Sequence, residues 1–338
     1  MDAPAGQSMP FVSFIIVARN AEKHLINLLS DYLRQDYPID LRELIMVEGG
    51  SDDDTKKVAQ DFALQHPELA ITILDNPKKI LATGWNIAIC AARGDIVCRV
   101  DAHVAIPANY ISTGVKLLQD LEPEKVVCVG GPLETKGTGV WGQGIATVLS
   151  SPFGIGNARF RYAKCQGYVD TVPFGFYWKW VFDTVGLFRE DLGRTEDNEL
   201  HARISNRGWR FFLSPQLETT YFCRPNISGL MKQAFGNGYW SIITWRQAAW
   251  RHLVPFFFIA LVITLVFCLF FWSPPIYVLL VLGITYIILS YYCGYKNLSK
   301  TGDLSKIGFM PVLFFLLHTS YGLGSWWALL SRQFDRNK

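Results

Sequence analysis

Asp101-Ala102-His103 places a carboxylate and an imidazole two positions apart, directly after the run Ile96-Val97-Cys98-Arg99-Val100. Both groups bind divalent cations, and mixed oxygen and nitrogen ligation suits manganese better than calcium, while magnesium prefers more oxygens. Standing alone, such a tripeptide after a strand is also a common accident of sequence. A pair of neighbouring carboxylates, Glu196-Asp197, follows Thr195. A carboxylate within hydrogen-bond reach of a hydroxyl can take its proton, and two acids that begin a helix also suit its dipole. Glu48-Gly49-Gly50-Ser51-Asp52-Asp53-Asp54-Thr55 reads as a loop in which Ser51 or Asp52 caps the next helix, with polar groups left over for a ligand.

The elements that must position these groups follow from periodicity. Strands are predicted at Val12–Val17, Leu44–Val47, Ala70–Leu74 and Asp95–Val100, alternating with helices over Ala21–Gln35, Thr55–Gln65 and near Thr83–Ala92. That order predicts an α/β fold with a mostly parallel sheet, whose ligands bind at the carboxyl ends of the strands. Arg19-Asn20-Ala21-Glu22, the Glu48–Thr55 loop and Asp101-Ala102-His103 all fall there. Neither GxGxxG nor GxxxxGK[ST] occurs among them, which argues against dinucleotide-dependent redox chemistry and a P-loop.

The 338 residues are 50% hydrophobic and 18% charged, which excludes a disordered chain. A net charge of +3 offers no basis for a nucleic-acid partner. Leu253–Tyr295 contains 43 residues without Asp, Glu, Lys, Arg or His. As helix it would measure roughly 64 Å, enough for two crossings of a hydrocarbon core about 30 Å thick. Ser273-Pro274-Pro275 divides it into spans at about 253–272 and 276–293, and a third apolar stretch covers 307–331. Pro311, His318, Gly322 and Gly324 interrupt that stretch, so a full crossing and a re-entrant or interfacial segment are both open. Buried helices of a soluble protein are the plainer alternative, but such helices show a polar face. Arg246 and Arg251 precede the first span and Lys296, Lys300 and Lys306 follow the second. The positive-inside rule therefore predicts a multi-pass protein of the inner (cytoplasmic) membrane, with residues 1–252 in the cytoplasm and 253–338 as the membrane domain. Residues 1–10 lack a basic n-region, consistent with that side. The seven cysteines show no metal-binding spacing and are expected to be reduced.

Taken together the motifs resemble the family 2 glycosyltransferases, in particular the membrane-anchored exopolysaccharide enzymes of the succinoglycan type. Phe11–Asn20 is similar to the family's opening strand, and Val47–Thr55 to its V-D-x-G-S-x-D-x-T loop, with Glu48 where aspartate is usual. Asp101-Ala102-His103 stands in the place of its DxD motif, and Thr195-Glu196-Asp197 in that of its acid pair, followed by Arg203 and Gly208. The resemblance implies a GT-A fold and inverting, metal-dependent transfer from a nucleotide-sugar, a UDP-sugar by family default. It implies that Ala18, Arg19, Glu22 and Glu48 line base and ribose, that Asn76, Lys79 and Asn86 lie on the approach to the diphosphate, and that Asp101 also contacts the donor.

Sugar transfer needs the diphosphate leaving group stabilised, for which a manganese or magnesium ion on Asp101 and His103 is suited. It also needs a base for the acceptor hydroxyl, for which Asp197 is the candidate, with Glu196 tuning it. Phe174-Gly175-Phe176 resembles the acceptor segment preceding the acid pair, although aromatic clusters more often form core. Gln233 and Trp240 resemble the membrane-proximal Q-x-x-R-W segment, with Gly236 in place of its arginine, which argues against a polymer synthase. Residues near 228–252 are expected to lie in the membrane interface. Three functions follow. The first is extension of a polyprenyl-diphosphate-linked saccharide; the second is polyprenyl-phosphate sugar synthesis; the third is non-catalytic nucleotide binding by a membrane subunit.

Overall fold

The computed structural model describes residues 9–156, 158–162, 164–245, 250–300 and 303–335. Arg246, used above for topology, lies outside the described residues, as does the side chain of Arg251. The chain forms two compact units, residues 1–133 with 163–221 and residues 134–162 with 222–338. Residues 134–162 and those from 222 onward belong with the apolar helices.

Unit 1 opens with β1 (Val12–Ala18), α1 (Glu22–Leu33), β2 (Arg42–Glu48), α2 (Thr55–Gln65), β3 (Ile71–Asp75), α3 (Leu81–Ala91) and β4 (Ile96–Asp101). The expected alternation is present, with ends displaced by one or two residues. β5 (Val104–Ala105), α4 (Tyr110–Asp120) and β6 (Val126–Gly130) follow, and the chain passes along β7 (Leu133–Lys136) into unit 2. After α5 (Gly139–Leu149) and α6 (Pro152–Ile155) it returns for β8 (Gly167–Val169), β9 (Phe176–Trp178), α7 (Trp180–Val185), α8 (Glu196–Ser205), β10 (Arg210–Leu213) and β11 (Thr219–Phe222).

Eight strands form one sheet in the order β3-β2-β1-β4-β9-β6-β10-β8. β3, β2, β1 and β4 are parallel, and β9 runs antiparallel between β4 and β6. The chain leaves β1 toward β2 and β3, then returns to place β4 on β1's other side, so a topological switch point lies between β1 and β4. Register makes the carboxyl ends level: Ala18 lies opposite Glu48, Glu48 opposite Asp75, and Val17 opposite Asp101. The inner strands are apolar on both faces because helices cover both, and Phe14, Ile15 and Ile16 have no exposed surface.

Unit 2 adds α9 (Ile227–Ile243), α10 (Val254–Cys268), α11 (Pro275–Leu298) and α12 (Met310–Asp335). Two helical segments, Pro275–Leu298 and Ile307–Ser331, are long and apolar enough to cross a membrane. The first expected span is shorter than predicted. α10 has 15 residues, about 22 Å of helix, because tight turns ending at Trp272 bring the chain to Pro274-Pro275. The third stretch is a continuous helix of 26 residues. Its interruptions have packing reasons. Pro311 sits in the first turn, where no intrahelical N–H is needed. A methyl on Gly324 would lie 2.0 Å from the Phe235 carbonyl oxygen, so its absence lets α12 touch α9. His318 Nε2 donates to the Phe153 carbonyl (2.9 Å), which leaves Nδ1 to accept from the Tyr286 hydroxyl (2.8 Å).

Candidate active site

The first two polar loops interlock. Gly49 N donates to Ala18 O (2.9 Å), and a methyl on Gly49 would meet Arg19 Cβ at 3.1 Å, so Arg19 lies across the second loop. Ala21, which precedes α1, has no capping side chain. The second loop supplies the acceptors instead: Asn20 N donates to Ser51 Oγ (2.9 Å), Ala21 N to Thr55 Oγ1 (2.8 Å) and Glu22 N to Asp53 Oδ2 (3.2 Å). Asp53 Oδ1 accepts from Thr55 N (3.1 Å) and so serves the start of α2, not Ser51 or Asp52 as expected. The reason is that Ser51 and the Asp52 amide face back to Asn20, whose Oδ1 accepts from Asp52 N (2.8 Å). Glu48 is buried, and its carboxylate accepts from Gly50 N (2.9 Å) and Ser51 N (2.6 Å), which fixes the turn at the end of β2.

Of the residues expected near the diphosphate, Lys79 reaches this edge, since a methyl on Gly50 would lie 3.0 Å from Lys79 Nζ. Asn76 continues from β3; its N donates to Glu48 O (2.7 Å) and its Nδ2 to Ile80 O (2.7 Å). Its buried Oδ1 has no hydrogen-bond partner among the described residues. Asn86 requires a correction. Its Nδ2 donates to Phe188 O (2.9 Å) and Glu190 Oε1 (3.0 Å), and its Oδ1 accepts from Phe188 N (2.9 Å). With the amide spent on the chain before the acid pair, Asn86 is a clamp rather than an open phosphate ligand. Lys78, unremarked in the sequence, joins it by pairing with Glu190 (2.6 Å).

Asp101 ends β4 and His103 stands two residues beyond, just before β5, whose pairing with β11 anchors the turn. The His103 ring lies 5.2 Å from that of His24 on α1, centroid to centroid. Burial, opposed by Arg99 and reinforced by Asp197, lifts the Asp101 carboxyl to about 6. No group of three or more His, Cys, Asp or Glu placed to hold a metal occurs among the described residues. Asp101 and His103 offer one oxygen and one nitrogen donor, too few to cage an ion and of a kind that shares one with other ligands.

Thr195 turns the chain into α8 through a left-handed backbone conformation (φ 64°). Asn20 (φ 51°), Lys79 (φ 57°), Lys125 (φ 61°) and Phe174 (φ 46°) share that left-handed conformation. Asp197 is held by Arg99: Nη1 bonds Oδ1, and Nη2 donates to Oδ2 at 2.8 Å. Burial works against the charge on Asp197, but Arg99's charge and hydrogen bonds outweigh it and hold the carboxyl below its usual range. Glu196 is buried without such a partner, and burial together with the charge of Asp197 raises it. Arg99 was passed over in the sequence, although a lone charge inside Ile96–Val100 is the signal that could have marked it.

Phe174-Gly175-Phe176 also requires correction, because it belongs to the core. β9 lies in the middle of the sheet, and Phe176 has no exposed surface, its ring tilted against that of Tyr110 with centroids 5.0 Å apart. The Phe174 carbonyl accepts from Tyr110 Oη (2.7 Å), and a methyl on Gly175 would meet Cys128 Sγ at 2.6 Å. No acceptor could enter such packing. Gln233 and Trp240 stand seven positions apart on α9 of unit 2, both half-buried.

Residues 13–180 match the family described as glycosyl transferase family 2. The chain is 26% identical over 323 residues, 93% of this chain and 96% of the relative, to the dolichyl N-acetyl-alpha-D-glucosaminyl phosphate 3-beta-D-2,3-diacetamido-2,3-dideoxy-beta-D-glucuronosyltransferase of Methanococcus voltae. It is 26% identical over 226 residues, 66% of this chain and 67% of the relative, to the succinoglycan biosynthesis protein ExoA of Rhizobium meliloti. Among solved structures, the mannosyltransferase PcManGT from Pyrobaculum calidifontis in complex with GDP-Man and Mn2+ superimposes with a TM-score of 0.65 at 18% identity, covering 96% of this chain and 89% of that one. The likeness shows a shared GT-A fold.

Proposed function

Because the chain belongs to glycosyl transferase family 2 and is a glycosyltransferase, we propose that it transfers one sugar, with inversion, from a nucleotide-sugar to a lipid-linked saccharide at a membrane. The observation that carries this reading is the frame joining Asp101 to Asp197. The strand that ends in Asp101 also supplies the arginine that grips Asp197, so the proposed diphosphate end and base are built on one β-strand.

In this reading Ala18, Arg19, Glu22 and Glu48 form the nucleotide edge, and the buried Asn76 Oδ1 beside it is an acceptor without a hydrogen-bond partner among the described residues. Lys79 brings a cation to the same edge. A manganese or magnesium ion bound by Asp101 and His103 would offset the charge developing on the diphosphate oxygens. Asp197 accepts the proton of the attacking hydroxyl. The new bond forms between that oxygen and the sugar's anomeric carbon as the bond to the diphosphate breaks, and the nucleoside diphosphate leaves with the bonding pair. A lipid-linked acceptor is supported by the name of the archaeal relative and by the two apolar helices. Uridine is the family's default base, whereas the neighbouring mannosyltransferase is described with GDP-Man, so the donor is to be found by screening.

One observation favours a second reading. A carboxylate held ionised by an arginine is a weak base, and polyprenyl phosphate, already ionised, would not need a strong one. A screen of nucleotide-sugars with the purified protein, manganese and either lipid-linked saccharide or polyprenyl phosphate separates the two by nucleoside diphosphate release. Release with the saccharide supports extension. Release with polyprenyl phosphate alone replaces extension with the synthase reading, and release with neither overturns both.

A further inference from the structure

Arg99 is a charge inside a strand that is otherwise apolar until its last residue. Its side chain is 4% exposed and lies over the rings of Trp85 and Phe188, 4.9 and 5.5 Å from their centroids. Burying a guanidinium is costly unless it is well paired, so a strand that keeps one has a use for it. Both terminal nitrogens are engaged by the two oxygens of Asp197, and Nε has no partner among the described residues. Buried in this way, Arg99 is not a phosphate ligand. The backbone around it is fixed as well, because Arg99 N donates to the Gly175 carbonyl (3.0 Å).

The fork is planar and rigid, and two parallel hydrogen bonds set both the position and the plane of the carboxylate they hold. Each carboxylate oxygen has a second lone pair, and the Asp197 side chain is 36% exposed, so it is held from beneath and open above. Residues 99 and 101 share one face of β4 by strand alternation. The group that grips Asp197 therefore issues from the same face of the same strand as Asp101.

We propose that Arg99 is a positioning residue for sugar transfer, acting through Asp197 by fixing its carboxylate in the plane and place from which it takes the acceptor's proton. This rests on the reading of Asp197 as the base. Trp85 and Phe188 complete the device by excluding water from the guanidinium, so that the fork has no competing partner.

The test is a double-mutant cycle with the donor that turns over in the screen above. Arg99→Met keeps much of the length and loses the charge, and should lower kcat about 10- to 100-fold. Asp197→Asn should lower it about 10²- to 10⁴-fold. If Arg99 acts only through Asp197, adding Arg99→Met to Asp197→Asn costs less than about twofold more, whereas a general structural role would multiply the losses. Titration of UDP and GDP with manganese should stay within about twofold in every folded variant. Arg99→Lys keeps the buried charge without the fork, so it covers the case in which Arg99→Met does not fold, and it should still lose at least about tenfold in kcat. Full turnover in Arg99→Lys, or multiplicative losses in the cycle, overturns the proposal. Retained turnover in Asp197→Asn fells the base assignment and the positioning role together. A loss in Asp197→Asn with Arg99→Met unaffected fells the positioning role alone.

Discussion

His103 brings the nitrogen to the proposed metal pair, and its replacement separates metal holding from nucleotide holding. His103→Ala should weaken manganese-dependent binding of UDP or GDP by at least about tenfold in calorimetric titration, while metal-free binding stays level. An unchanged manganese titration removes His103 from the site. A second histidine speaks to stability rather than chemistry. His201 is buried between Thr171 Oγ1 and Tyr177 Oη, each 2.8 Å away, and burial brings its imidazole from 6.5 down to about 4. Below pH 6.5 the unfolded chain takes up a proton that the folded chain refuses until about pH 4. Stability is therefore undiminished above the upper value and falls through that window, by on the order of 3 kcal/mol for this group. Urea midpoints of the intact chain and of His201→Gln, compared between about pH 7 and pH 4.5, should show a flatter dependence in the variant. Equal slopes would discard the histidine as a cause.

At the scale of elements, the contact of α9 with α12 depends on missing side chains. A methyl on Gly238 would lie 1.9 Å from the Tyr321 carbonyl oxygen, and Ser325 Oγ donates to the Gly238 carbonyl at 3.1 Å. Backbone cannot retreat as a flexible side chain can, so Gly238→Val should force the helices apart at a cost of at least about 1–3 kcal/mol. Gly283 on α11 has nothing within 4 Å and is the matched control. In detergent, thermal melting of Gly238→Val should drop by several degrees while Gly283→Val melts close to the parent. Equal melting of the two would mean that this close approach does not hold the helices. The interlocked loops of unit 1 follow the same logic, because α1 lacks a cap of its own and takes one from residues 51–55.

At the scale of the whole molecule, charge divides with the units. Unit 1 holds 19 Lys and Arg against 26 Asp and Glu, while unit 2 holds 13 against 3. An apolar unit with basic connections fits a membrane whose anionic headgroups and positive-inside asymmetry both retain cations. Large aromatic side chains of this unit are widely exposed, among them Phe267 at 60%, Phe271 at 77% and Tyr277 at 69%. The proposed topology keeps residues 1–252 in the cytoplasm and turns the chain outside at Pro274-Pro275. A reporter inserted after Pro275 should accordingly be labelled from outside the cell. Labelling from the cytoplasm would reject the hairpin, a pointed test because α10 alone is shorter than a hydrocarbon core is thick.

Local chemistry let the sequence determine the alternating order up to β4, the carboxyl-end placement of Ala18, Glu48 and Asp101, and the apolar stretches. Apolar period, strand length and proline are properties of neighbouring residues, and they survive without tertiary context. The tertiary structure alone decided which side chains are spent on each other. Asn86 and Glu190 are 104 positions apart, and Arg99 and Asp197 are 98 apart. No local pattern records such meetings, because they arise when the sheet order brings β4, α3 and the start of α8 together. Phe174-Gly175-Phe176 passed for an acceptor segment because aromatics and glycine look alike in a pocket and in a core. Only the tertiary placement of β9 in the middle of the sheet, with Phe176 packed against Tyr110 of α4, distinguishes them.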